Sequence, residues 1–209
     1  MQFSREDPLQ DWWSRPGASG AEEGMPLPGR GEARHDQGYG RDDAWHDAVT
    51  GLPRPRCFLA RLEELLAGPD GTPRSVALLV LEVADFSDLK ARLGDAWADE
   101  LLRTIAERLH DAAPEPGLMT RLSSGAFAIV LRDLGPEVMP EALATELLQR
   151  ASEPCPSPDR RLRWSLVGAL ALPGEHSESA MELLERAMRA LARSKLRPAA
   201  QAGSGLSLG

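Results

Sequence analysis

The sequence predicts an α/β sandwich with an antiparallel-containing sheet and helices packed over it. Three observations predict it. Val76–Val83 reads VALLVLEV, a nearly continuous apolar run of the kind expected for a strand buried on both faces. Two short apolar segments, Leu118–Leu122 and Phe127–Leu131, flank the small-residue link Ser123-Ser124-Gly125-Ala126, which is short enough for a β-hairpin. Apolar stripes at helical spacing precede, separate and follow these strands. The resulting order, α, β, α-α, β-hairpin, α, β, α, fits helices stacked on one mixed-order sheet.

Each element has its own justification. Residues 1–44 contain seven Gly and four Pro with interspersed charges and no apolar period, so this arm is expected to be disordered. Trp12 and Trp13 stand out within it, and adjacent tryptophans are the residue type of a partner-binding anchor. Phe58, Leu59, Leu62, Leu65 and Leu66 share one helical stripe that ends at Gly68-Pro69-Asp70-Gly71. The buried strand at 76–83 follows. Residues 86–112 are helical in pattern, with a break near Gly94 and a second stripe of Leu101, Leu102, Ile105 and Leu109. After the hairpin, a helix over about 138–152 turns Leu143, Leu147 and Leu148 inward. Residues 161–172 alternate as a strand, with Leu162, Trp164, Leu166, Gly168, Leu170 and Leu172 on one face. A last helix spans roughly 178–195 and carries Met181, Leu183, Leu184, Met188 and Leu191. The domain is thus expected over 45–197, and 198–209 as a flexible tail.

Charge and composition narrow the function. Lys+Arg 24 against Asp+Glu 32 gives a net charge of −8, which argues against a broad grip on nucleic acid or anionic lipid. No apolar run reaches eighteen residues, so no membrane insertion is expected, and MQFSREDPLQDWW lacks the apolar stretch of a signal peptide. A cytoplasmic location is expected, with Cys57 and Cys155 as free thiols. No phosphate-loop glycine pattern and no histidine constellation occur. Glu82 is the anomaly of its apolar strand. Carboxylates at a strand end suit hard cations, although Asp85 and Asp88 just beyond it also suit a helix N-terminus as cap and dipole partner. Arg121 and Arg132 flank the hairpin, in reach of a phosphate there, but read first as solvated strand-end arginines.

Four stretches in order resemble the GGDEF family, the diguanylate cyclases that condense two GTP into cyclic di-GMP. Asp47-Ala-Val-Thr-Gly-Leu-Pro53 is similar to the family's D-x-L-T-G-L-x-N-R, with Arg54 and Pro55 in place of Asn-Arg. LLVLEVADFSDLKARLGDAWADELL (78–102) resembles LLLLDIDxFKxINDxxGHxxGDxLL, with Phe86, Leu89, Gly94, Asp99 and Leu101-Leu102 matching. SLVGALA (165–171) and AMRALARSK (187–195) resemble the family's VSIGVA strand and last helix, with Lys195 in register. The resemblance covers 47 to about 196 and implies a nucleotidyl-cyclase-like fold with a ferredoxin-like core sheet.

The name-giving hairpin departs from the family: Ser123-Ser124-Gly125-Ala126-Phe127 stands for Gly-Gly-Asp/Glu-Glu-Phe, and Phe127 alone survives. The family's acidic pair, which supports metal binding, is replaced by Gly125 and Ala126. Glu82 keeps a carboxylate at the first metal-binding Asp, and Ala84 replaces the second. Ser87 replaces a phosphate-contacting Lys, Lys90 a guanine-reading Asn, and Asp99 is retained. Pro114-Glu115-Pro116-Gly117 lacks the Arg and Asp of the family's inhibitory product site. The expectation is therefore a degenerate GGDEF domain without catalytic or metal-binding residues, acting as a regulatory module on a protein partner. The second reading is a GTP or cyclic di-GMP sensor using Asp99, Lys90 and Lys195, with Mg²⁺ only if nucleotide binding persists. The third is an active cyclase. No oligomeric state is implied.

Overall fold

The central strand β1 (Val76–Val83) forms where the sequence places its longest β-branched and leucine-rich run, and every residue of it except Glu82 is buried. The computed structural model describes residues 45–68, 76–113, 118–132, 134, 137–154, 164–174, 178–195 and 205–208. The Trp12-Trp13 arm, Cys155, Leu162 and the Pro114–Gly117 stretch lie outside them.

β1 pairs antiparallel with β3 (Ala126–Arg132) on one side and with β4 (Leu166–Ala171) on the other. β2 (Met119–Ser123) completes the hairpin with β3, and β5 (Gly205–Leu208) joins parallel to β4. The sheet order is β2-β3-β1-β4-β5. Its first four strands have the ferredoxin-like arrangement expected from the resemblance.

The helices take up the two faces. α1 (Pro55–Ala67) starts with proline in its first turn and ends at Gly68, whose φ of 63° is the left-handed region glycine adopts readily. α2 (Phe86–Leu93) and α3 (Asp95–Ala112) are separated at Gly94, where φ is 87° and nothing crowds the missing Cβ, so glycine is needed there for the backbone alone. α4 (Pro140–Ala151) again opens on proline, and α5 (Ala180–Lys195) follows β4. Ala77, Leu79, Leu81 and Val83 share a core with α2, α3 and α4, including Leu101, Ile105, Leu147 and Leu148. The intervening β1 residues, Leu78 and Val80, point to the opposite face, where α1 and α5 pack. Each large aliphatic side chain buried in these layers contributes roughly 1.5–3 kcal/mol.

Several expectations need correction. The hairpin strands reach inward to Ser123 and Ala126, so the connection is the two-residue turn Ser124-Gly125 rather than a four-residue link. A bulge between Arg121 and Ser123 accommodates the register change. β4 begins at Leu166, so Trp164 and Ser165 lie outside the strand that the alternation predicts over 161–172, of which 161–163 fall outside the described residues, and Leu172 is exposed rather than inward. The tail is not wholly irregular: the open edge of β4 recruits Gly205–Leu208 into the ladder, a tertiary effect that a Gly/Ser-rich composition conceals. Asp85 is the N-cap of α2 by position but makes no side-chain cap hydrogen bond; instead it takes a left-handed φ of 53°.

Candidate functional site

The ends of β1, β3 and β4 meet at the hairpin turn. The Val83 amide donates to the Gly125 carbonyl at 3.0 Å, and the Ala84 amide donates to the Ser165 carbonyl at 2.9 Å. Gly125 is buried, and the Phe86 ring is pressed against it: a Cβ placed on Gly125 would lie 2.7 Å from Phe86 Cγ and 2.8 Å from its Cβ. No real side chain tolerates such an approach, so the hairpin's third position has room for glycine only while Phe86 keeps its place. Phe127 is fully buried opposite Leu81 and serves the core. Ser123 and Ser124 are exposed at the tip.

Glu82 lies directly between Ala126 on β3 and Val167 on β4. Lys195, the last residue of α5, reaches it across the α5 face and donates to both carboxylate oxygens, at 2.9 and 3.0 Å. The sequence reading placed both residues near a nucleotide site, and the structure brings them together as an ion pair. Lys90, on α2, pairs instead with Asp95 at 3.0 Å. Asp99 sits half-buried in the early part of α3.

Arg121 departs from its expected role as a solvated strand end. Its guanidinium is largely buried and reaches Asp47 at 3.2 Å to each oxygen while also donating to the Ser124 carbonyl at 3.0 Å. Asp47 further accepts the Thr50 amide and hydroxyl at 2.9 and 2.8 Å. Burial alone would raise the Asp47 carboxyl, but the Thr50 hydrogen bonds and the Arg121 charge together hold it below its ordinary value of 3.8. The fully buried Thr120 hydroxyl donates to the Pro53 carbonyl at 2.7 Å. The Asp47–Pro53 segment is thereby stitched to β2 and to the hairpin tip. Sequence reasoning matched Asp47 and Phe86 to a pattern without finding these contacts; the available signals were a glycine where an acid is usual and an arginine three residues ahead of Ser124.

A magnesium ion wants near-octahedral oxygen ligands, usually one or two carboxylates plus phosphates and water. The residues present do not fit it. Glu82 has both oxygens engaged by an ammonium, its strand neighbour Ala126 offers no oxygen on its side chain, and Phe86 fills the place of a side chain at Gly125. Among the described residues no cluster of three or more His, Cys, Asp or Glu could hold a metal ion.

Comparison with known proteins agrees with the fold. Residues 44–201 match the family described as diguanylate cyclase, GGDEF domain. The chain is 29% identical over 149 residues to the diguanylate cyclase TpbB of Pseudomonas aeruginosa, covering 71% of this chain and 34% of that protein. It spans only 18–34% of the length of that and two similarly related proteins. The solved GGDEF domain of TpbB superposes with a TM-score of 0.63 at 27% identity, covering 78% of this chain and 93% of that one. The GGDEF domain of DgcB from Caulobacter crescentus, solved in complex with c-di-GMP, has a TM-score of 0.64 at 20% identity and covers 85% of this chain and 98% of its own. The diguanylate cyclase SiaD of Pseudomonas aeruginosa, solved with its activator SiaC, gives 0.65 at 20% identity, covering 78% and 61%.

Proposed function

Because the chain belongs to the GGDEF domain family, we propose that it is a catalytically silent member, a regulatory module that binds a protein partner in cyclic di-GMP-linked signalling. The observation that carries this reading is the hairpin, where Gly125 and Ala126 stand in place of the family's acidic pair and leave Glu82 without a second carboxylate beside it. Attack of a hydroxyl on GTP requires metal ions to stabilise charge on the transferring phosphoryl group. Losing one major electrostatic stabiliser costs on the order of 10²–10³ in rate, and here the hairpin carboxylates, the second strand-end Asp and the phosphate-contacting Lys are replaced together. The features that remain, Phe86, Gly94, Phe127 and the Asp47 turn, are those that hold the fold.

The exposed hairpin tip is the proposed docking face. The solved SiaD–SiaC pair is a precedent for a GGDEF protein held by a protein regulator. The Trp12-Trp13 arm supplies the proposed second contact, and the cytoplasm the proposed location. Incubation with GTP and Mg²⁺ or Mn²⁺, read by chromatography, is expected to give no cyclic di-GMP. A pull-down with the whole chain is expected to recover a partner that a hairpin-tip variant loses, and recovery of none counts against the module.

The alternative is a GTP or cyclic di-GMP sensor built on Asp99, Lys90 and Lys195. Both lysines are already paired with carboxylates at about hydrogen-bond distance, so a phosphate must compete for them. Titration calorimetry with each nucleotide, with and without Mg²⁺, separates the readings: binding heat favours the sensor, and its absence removes it.

A further inference from the structure

We infer that the end of the sheet opposite the hairpin is a docking face for a basic amphipathic segment of another protein. The face is separate from the hairpin tip, and it stands whether or not the tip binds a partner.

The strands fix its place. Val76, at the start of β1, lies opposite Arg132 at the end of β3, and Ala171, at the end of β4, lies opposite Leu78. Leu172 therefore leaves the sheet at the end away from Glu82. By alternation it lies on the face of Leu166 and Leu170, which share their core with α4. α4 follows β3 and so starts from this same end. Its Leu148 sits against Gly168, where an added Cβ would lie 2.8 Å from Leu148 Cδ1. From Leu148 back to Met139 the helix spans about 13 Å, the length of strand from Gly168 to Leu172. Val138 and Met139 thus fall beside Leu172. They are 42% and 62% exposed, and Leu172 is 42% exposed. Single apolar residues scattered over a surface are ordinary, whereas three at one end form a patch. The remaining large exposed apolar side chain among the described residues, Trp45, is already stacked by Arg56 at 4.2 Å.

The rim sets the charge of the partner. Glu137 and Glu141 bracket Val138, Met139 and Pro140. Glu141 Oε2 is buried with no hydrogen-bond partner among the described residues, a costly state that an incoming ammonium or guanidinium relieves. Arg132 and Arg186, basic residues at this end, are already engaged. Arg186 donates to Glu178 at 3.0 and 2.8 Å and also to the Leu172 carbonyl, which holds Leu172 in position. A second copy of this chain is a poor occupant, because it would bring the same two glutamates and a net charge of −8 to the contact. A segment with an apolar stripe flanked by lysine or arginine meets both the patch and its rim, and the flexible Met139 side chain can adapt to it.

The test uses the full-length, ¹⁵N-labelled protein titrated with a synthetic peptide that carries leucines on one helical face and lysines on its flanks. The amide signals of Val138, Met139, Glu141 and Leu172 are expected to shift, while those of Ser123 and Ser124 stay in place. A matched peptide with glutamates for the lysines is expected to move none of them. Met139→Ser changes an exposed side chain at the N-cap of α4, where serine is a favoured residue. It is expected to raise the peptide midpoint about tenfold, and Glu141→Gln about threefold. Unchanged signals from Leu79 and Ile129 report an intact fold in both variants. Shifts centred on the hairpin tip or scattered over the acidic surface overturn the inference, as does a Met139→Ser midpoint equal to that of wild type. Signals at this end that move with protein concentration alone assign the face to a second copy and overturn it too.

Discussion

At the scale of single residues, the site is defined by what its neighbours leave room for. Restoring an acid at the hairpin's third position, Gly125→Asp, drives a Cβ to within 2.7 Å of Phe86. Overpacking of this kind costs roughly 1–3 kcal/mol. The expected outcome is a lower urea midpoint and still no cyclic di-GMP from GTP; a variant as stable as wild type would mean that Phe86 moves freely. Asp47 makes a second prediction, with a definite sign. Its carboxyl lies below its ordinary 3.8 in the folded chain, so it binds its proton less readily there than when unfolded. Its stabilising contribution is therefore complete above that value and is lost as pH falls through the folded pKa. Urea midpoints of wild type and Asp47→Asn should differ at pH 7 and converge on acidification below 3.8. A gap that stays constant with pH would assign the effect to packing. Glu82, Lys90 and Lys195 were legible as candidates because each breaks its local pattern or matches a family position. Which carboxylate each lysine meets was not, because a bond across 113 residues has no local signature.

At the scale of elements, hydrophobic period and turn chemistry carried most of the reading. The Gly94 break, the α1 stop at Gly68 and the inward stripes of α3 and α5 all follow from local sequence, and each appears in the structure. The start of α5 shows where local signals meet tertiary ones. Ser179 and Glu182 form a capping box: the Ser179 amide donates to the Glu182 carboxylate at 2.9 Å, and the Glu182 amide donates to the Ser179 hydroxyl at 3.3 Å. That pattern is visible in the sequence. Glu63, from α1, accepts the Ala180 amide at 2.6 Å, and this third cap is visible only once the two helices are packed. Ser179→Ala is expected to lower stability by about 1 kcal/mol and Glu63→Gln by a comparable or smaller amount. Because both act on one helix end, the double variant should depart from additivity. Denaturant midpoints of the two single variants and the double variant check this, and strictly additive losses would mean that the caps act on separate units.

At the scale of the whole sheet, β2 and β4 are flanked by different means. β2 is covered from the side by the Asp47–Pro53 segment, through the Thr120–Pro53 bond and the Arg121 links. β4 is covered by β5, drawn from a stretch whose composition gave no reason to expect a strand. An uncovered edge presents a row of unpaired amide and carbonyl groups that a second chain can pair with. Removing Gly205–Gly209 should therefore do two things at once. It should lower the denaturation midpoint, since the β4 ladder loses its partner on one side. It should also make the protein self-associate as concentration rises, seen by light scattering, because β4 is then free to pair between molecules. The same truncation should leave the hairpin end undisturbed, since β4's pairing with β1 at Glu82 and Val167 is on its other side. A truncated chain that stays monomeric with an unchanged midpoint would show that β5 neither guards nor braces the sheet. One that loses the Glu82–Lys195 contact would show instead that α5, which connects to β5, is held in place by that strand.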